Sequence, residues 1–140
     1  MFKNILVAYD GSEHSKKGAR IVGSLVREQN QAAAVRIVTV MDPAPWELGE
    51  PFLSHLIEQR THLGDELLAE AADLIGAGIE THKELLFGSA ADGIIQVAQA
   101  RGSDLIVIGE RGLGLLEGLL LGSQAQRVLS RAHCPVLVVK

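Results

Sequence analysis

The chain has 140 residues, 47% of them hydrophobic and only 4% aromatic, with a formal net charge of −4. That length allows one ordinary domain with an aliphatic core. The acidic balance argues against attraction to a nucleic-acid backbone or an anionic membrane, and the single cysteine, Cys134, excludes an intrachain disulfide.

Taken in chain order, Ile5 to Ala8 is a short continuous apolar run closed by Asp10-Gly11-Ser12. Continuous rather than alternating apolarity predicts a strand covered on both faces. Ser12 or Ser15 can cap the helix that follows, with Ala19, Val22 and Val26 at helical spacing. Val35 to Met41 is the second strand. From Asp42 to Ser54 the pattern breaks at three prolines, with Trp46 and Phe52 in the same stretch, and a long loop is expected. Those two aromatics could close over a flat ligand or anchor the loop.

A long helix follows, with Leu56, Leu63, Leu67, Ala71, Leu74 and Ile75 expected on its inner face, and Gly76 and Gly78 stop it. Residues 79–87 form the third strand candidate. Ser89 is expected to cap a helix through Ala98. Residues 104–108 are the fourth strand, a last helix starts near Gly122-Ser123, and residues 135–139 are the fifth strand. Alternating strands and amphipathic helices predict an α/β fold with an open parallel sheet and helices on both faces. No signal-peptide pattern and no run of about 18 apolar residues occurs, so a cytoplasmic location is expected.

Residues 108–123 read IGERGLGLLEGLLLGS. Glycines leave backbone N–H groups open to a ligand and permit turns with positive φ. A helix opening at Gly122, Ser123 and Gln124 would present free N–H groups and the positive end of its dipole. This pattern, at the carboxyl end of a parallel strand, points to a phosphate site. It is neither a Walker A loop, since no GKS or GKT follows, nor a dinucleotide fingerprint, which belongs after the first strand. Arg111 is the side-chain candidate for neutralising phosphate. Glu110 reads as a solvent-facing turn residue; a carboxylate beside phosphates would repel them unless it turned outward, paired with Arg111 or met a divalent cation.

Other residues read more plainly. Lys16 and Lys17 are expected to be solvated, and Cys134 to be a buried thiol. His14, His55, His62, His82 and His133 lack zinc spacing, so no metal site is expected. No residue pair marks a catalytic nucleophile. Asp10 can either hold its own turn or meet a ligand.

The segments ILVAYDGS, GERG…LLGS and RVLSRAHCPVLVVK make the whole chain, residues 1–140, resemble the ATP-binding branch of the universal stress protein family. Gly109, Gly112, Gly122 and Ser123 fit that branch's spacing of a glycine, two residues, a glycine, nine residues, then glycine and Ser/Thr. The resemblance implies a five-stranded sheet in the order 3-2-1-4-5. It places Asp10 near adenine and ribose, and the Val40 backbone at the adenine edge. Gly109 and Gly112 fall near the ribose and α-phosphate, and Gly122, Ser123 and Gln124 near the outer phosphates. Ala8 and Ile108, at the ends of strands one and four, complete the candidate set with Arg111. The implied ligand is ATP, with AMP or ADP as alternatives and Mg²⁺ as companion. The implied assembly is a homodimer through the C-terminal strand. Three readings stay open: a nucleotide-binding regulator without fast turnover, a slow ATPase or autophosphorylating enzyme, and an interaction module that binds no ATP.

Overall fold

The computed structural model describes residues 1–110 and 122–140. In chain order it contains β1 (Asn4–Ala8), α1 (Glu13–Glu28), β2 (Ala34–Met41), a 3₁₀ turn (Trp46–Leu48) and α2 (Phe52–Ile75). There follow β3 (Glu80–Phe87), α3 (Ala90–Arg101), β4 (Leu105–Gly109), α4 (Ser123–Arg131) and β5 (Val136–Val139). The strands form one sheet in the order β3-β2-β1-β4-β5, and every neighbouring pair is parallel. This is the fold class and strand order expected. Among the described residues no helix is long and apolar enough to cross a membrane.

The alternation of β1 explains its unbroken apolar run. Ile5, Val7 and Tyr9 join Ala19 and Val22 of α1 and Leu68, Ala71 and Ile75 of α2 on one face of the sheet. Leu6 points the other way, into a second cluster with Ile94 and Ala98 of α3 and Ala125 and Val128 of α4. Both faces are covered, so each residue of a central strand must be apolar. Full burial of each Ile, Leu or Val contributes roughly 1.5–3 kcal/mol.

The structure corrects several local expectations. The irregular stretch after β2 is shorter than expected, because residues 46–48 form a 3₁₀ turn and α2 begins at Phe52. On α2 the buried line is Gly64, Leu68, Ala71 and Ile75, while Leu63 is exposed. Gly64 sets this register: a Cβ there would lie 2.4 Å from Leu85 of β3, so the helix packs on the sheet at its smallest residue. The third helix continues past Ala98 to Arg101 and ends on Gly102, in the left-handed conformation at φ 65°. Ser89 occupies the N-cap position of α3 but makes no side-chain capping bond. Asp104 lies outside β4; its carboxylate accepts hydrogen bonds from the N–H groups of Lys3 and Asn4 at 2.8 and 3.0 Å, tying down the start of β1. Cys134 is only partly buried, and burial pushes its thiol pKa up.

Candidate functional site

The strand order reverses between β1 and β4. From β1 the chain runs through α1 to β2 on one side, and from β4 through α4 to β5 on the other. The diverging connections leave a cleft at the carboxyl ends of the central strands, where ligands bind in open α/β sheets. The cleft has a volume of about 470 Å³, within the range of small-molecule sites. Its walls bring together Ala8, Asp10, Val40, Ile108, Gly109, Gly122, Ser123 and Gln124. These are eight of the ten residues singled out in the sequence. The other two, Arg111 and Gly112, lie outside the described residues.

The first wall is the exit of β1. Asp10 Oδ1 accepts a hydrogen bond from the Ser12 N–H at 2.9 Å, which folds Asp10-Gly11-Ser12 into a tight turn. Ser12 Oγ then accepts from the Ser15 N–H at 3.2 Å and caps α1. Gly11 sits at φ 81°, where an L side chain is strained, and a Cβ there would lie 2.8 Å from Leu67. The turn therefore needs glycine on two counts. Tyr9, before it, is held three ways. Its N–H donates to the Val38 carbonyl at 2.9 Å, its carbonyl accepts from the Thr39 hydroxyl at 2.8 Å, and its phenol donates to Glu70 of α2. Burial and then the Glu70 carboxylate push the Tyr9 pKa far above the usual phenol value.

Val40 owes its place to strand alternation. The Val38 carbonyl faces β1, since it accepts from Tyr9, while the Met41 carbonyl faces β3 and accepts from the Gly88 N–H at 2.9 Å. Main-chain groups alternate along a strand, so Val40, two residues after Val38, turns its N–H and C=O toward β1. The last β1 residue paired with β2 is Ala8, opposite Val38. The main-chain donor and acceptor of Val40 therefore face the cleft beyond the end of β1.

The second wall is the end of β4 and the start of α4. Glu110 N–H donates to the Val139 carbonyl at 2.7 Å, and the Glu110 carbonyl accepts from the Gly122 N–H at 2.8 Å. These two main-chain bonds bring the residues either side of 111–121 together at the mouth of the cleft. Neither Gly109 nor Gly122 owes its place to positive φ, contrary to expectation: Gly109 is the extended last residue of β4, and Gly122 has φ −63°. Gly122 is buried. The following residues, Ser123, Gln124 and Ala125, form the first turn of α4, whose N–H groups have no partner within the helix.

Gln124 has a second role that sequence reasoning missed. Its side-chain Oε1 accepts from the Ala91 N–H at 2.9 Å. It caps α3 in place of Ser89 and locks the N-termini of α3 and α4 side by side. Ser89 is left lining the cleft with its Oγ buried and without a hydrogen-bond partner among the described residues. The bond joins residues 33 apart, so no local pattern announces it.

Charge on the walls also departs from expectation. Glu110 is half-buried and is among the residues that line the cleft. Asp42 lines it too, beside the expected Asp10. No Lys, Arg or His is among the described lining residues. Lys16 pairs with Glu13 at 3.5 Å, and Lys17 donates to the Lys140 carbonyl at 3.0 Å, both outside the cleft. Trp46 and Phe52 are 78% and 68% exposed and do not line it. Among the described residues no group of three His, Cys, Asp or Glu could hold a metal ion. A divalent cation entering here would depend chiefly on oxygens of its ligand.

Comparison with known proteins agrees with this geometry. The family model described as the universal stress protein family matches residues 1–140. A universal stress protein of Thermus aquaticus is 42% identical over 140 residues, covering the whole of both chains. Among solved structures, a universal stress protein in complex with cAMP superposes with a TM-score of 0.77 at 25% identity, covering 99% of this chain and 97% of that one. The universal stress protein of Archaeoglobus fulgidus in complex with dAMP superposes with a TM-score of 0.70 at 25% identity, covering 99% of this chain and 98% of that one. Full-length matches to the family model and to a close relative, on the same fold, establish that this chain belongs to the universal stress protein family.

Proposed function

We propose that this chain is an adenine-nucleotide-binding regulatory protein of the stress response, taking ATP, ADP or AMP in the cleft between β1 and β4 without fast turnover. All 140 residues are read as one nucleotide-binding domain. The observation that carries the reading is the convergence on one cleft of three unlike features: the Asp10 turn, the outward main-chain groups of Val40 and the N-terminus of α4. The donor and acceptor on Val40 match the edge of an adenine. Asp10 Oδ2 is available to a ribose hydroxyl while Oδ1 holds the turn. The first turn of α4, with the Ser123 hydroxyl, suits phosphate oxygens. The complexes of relatives with cAMP and dAMP support an adenine nucleotide as the ligand.

Slow or absent turnover fits the charge of the walls. Phosphoryl transfer relies on cations that neutralise the transferring group, and the described lining supplies three carboxylates and no cationic side chain. Mg²⁺, where it takes part, would arrive with the phosphates. Calorimetric titration with AMP, ADP and ATP tests the reading: saturable binding at one site per chain is expected, and no binding of any of the three contradicts it.

The contrast between the sheet's edges supports a homodimer through β5. Edge strand β3 carries Glu80, His82, Lys83 and Glu84, which discourage pairing with another chain. Edge strand β5 is Val136-Leu137-Val138-Val139, with Leu137 38% exposed. A twofold partner would cover this apolar edge. Leu137→Lys is expected to convert the dimer to a monomer in light scattering, with the far-ultraviolet spectrum unchanged.

A further inference from the structure

We infer that Glu110 makes the cleft select adenine nucleotides by charge, favouring one phosphate over three whenever no divalent cation accompanies the ligand. The inference rests on the nucleotide site proposed above and adds what that reading leaves open, the charge class of the ligand.

Three observations carry it. The residues lining the described walls include Asp10, Asp42 and Glu110, with no Lys, Arg or His among them. Glu110 is half-buried, so solvent screens it less than an exposed surface acid. Its carbonyl accepts from the N–H of Gly122, the N-cap of α4, so the residue is bonded directly to the anion-binding end of that helix. The backbone of Glu110 therefore lies beside the positive end where a ligand's phosphates would gather, and its charge acts on them from there.

The discrimination follows from charge. A nucleoside triphosphate carries roughly twice the negative charge of a monophosphate, and repulsion from a fixed carboxylate grows in proportion. Favourable contacts of the base and ribose are common to both ligands, so the carboxylate penalises the longer one selectively. A divalent cation on the outer phosphates would cancel part of that charge and reduce the difference. Asp10 and Asp42 raise the same barrier, but only Glu110 is bonded to the N-cap of α4.

The main-chain bonds of Glu110, to Val139 and Gly122, do not involve its side chain. Glu110→Gln therefore removes the charge and keeps the frame. Titration calorimetry with AMP and ATP, in EDTA and again in excess Mg²⁺, provides the test, with thermal melts to verify folding and Glu110→Ser as a second variant. In EDTA the unaltered protein is expected to bind AMP more tightly than ATP. Either variant should tighten ATP on the order of tenfold and AMP by less than about threefold. Mg²⁺ should raise ATP affinity more in the unaltered protein than in the variants. Tighter binding of ATP than AMP by the unaltered protein in EDTA, or an equal shift of both ligands in the variants, overturns the inference while leaving the nucleotide site intact. Binding of neither nucleotide by any of the three proteins overturns the site and the inference together.

Discussion

The two walls of the cleft are built by different means. The β1 wall is strapped by side chains: Asp10 to Ser12, Ser12 to Ser15, Thr39 to Tyr9 and Tyr9 to Glu70. The β4 wall is held at its base by main-chain bonds, Glu110 to Val139 and Gly122 to Glu110. Among the described residues its side-chain strap is Gln124 to Ala91 of α3. The first wall is therefore part of the fold's own stability. In the second, no main-chain bond among the described residues occupies the N–H groups of Ser123, Gln124 and Ala125. Damage to the first should unfold the protein, and damage to the second should weaken binding in a protein that still folds.

The largest expected effect is Gly11→Val. It forces a β-branched residue into positive φ and drives a side chain toward Leu67. Chemical denaturation should show a loss of roughly 3 kcal/mol. Ser123→Ala, on the other wall, touches an exposed first-turn residue. Stability should change by less than about 0.5 kcal/mol, while nucleotide affinity falls by about 1 kcal/mol, the worth of one hydrogen bond. If Ser123→Ala unfolded the protein as Gly11→Val does, the contrast between the walls would be lost.

The smallest effect under ordinary conditions is the titration of Tyr9, the only tyrosine in the chain. Its folded pKa lies above the ordinary 10.0, chiefly through burial. The folded state thus favours the neutral phenol. The stabilisation is complete below pH 10 and declines as pH rises above it, because the unfolded chain ionises first. Tyrosinate absorbance should stay absent through pH 10 and emerge with loss of the far-ultraviolet signal. Ionisation near pH 10 with the fold intact would show that the Tyr9 strap is not closed. Tyr9→Phe should remove this alkaline dependence.

Much of this architecture was legible in the residues because its causes are local. A strand buried on both faces must be continuously apolar, as Ile5 to Ala8 is, and a turn with positive φ invites Asp-Gly-Ser. The strand order came from the resemblance carried by Gly109, Gly112, Gly122 and Ser123 rather than from periodicity. What stayed hidden depends on contacts between distant segments. The Leu63 and Leu68 positions on α2 both suit an apolar stripe. Only the tight approach of Gly64 to Leu85 selects Leu68 for the core. Ser89 carries every local mark of a cap, yet Gln124 takes the bond from the neighbouring helix α4. Glu110 is brought to the lining of the cleft by two main-chain partners, Val139 and Gly122, that no local pattern announces.

The most direct test of the central claim is native mass spectrometry of the freshly purified protein, before and after adding adenine nucleotide. The account predicts a dimer that carries, or takes up, one adenine nucleotide per chain. A bare chain that acquires no adenine nucleotide at saturating concentration would contradict it.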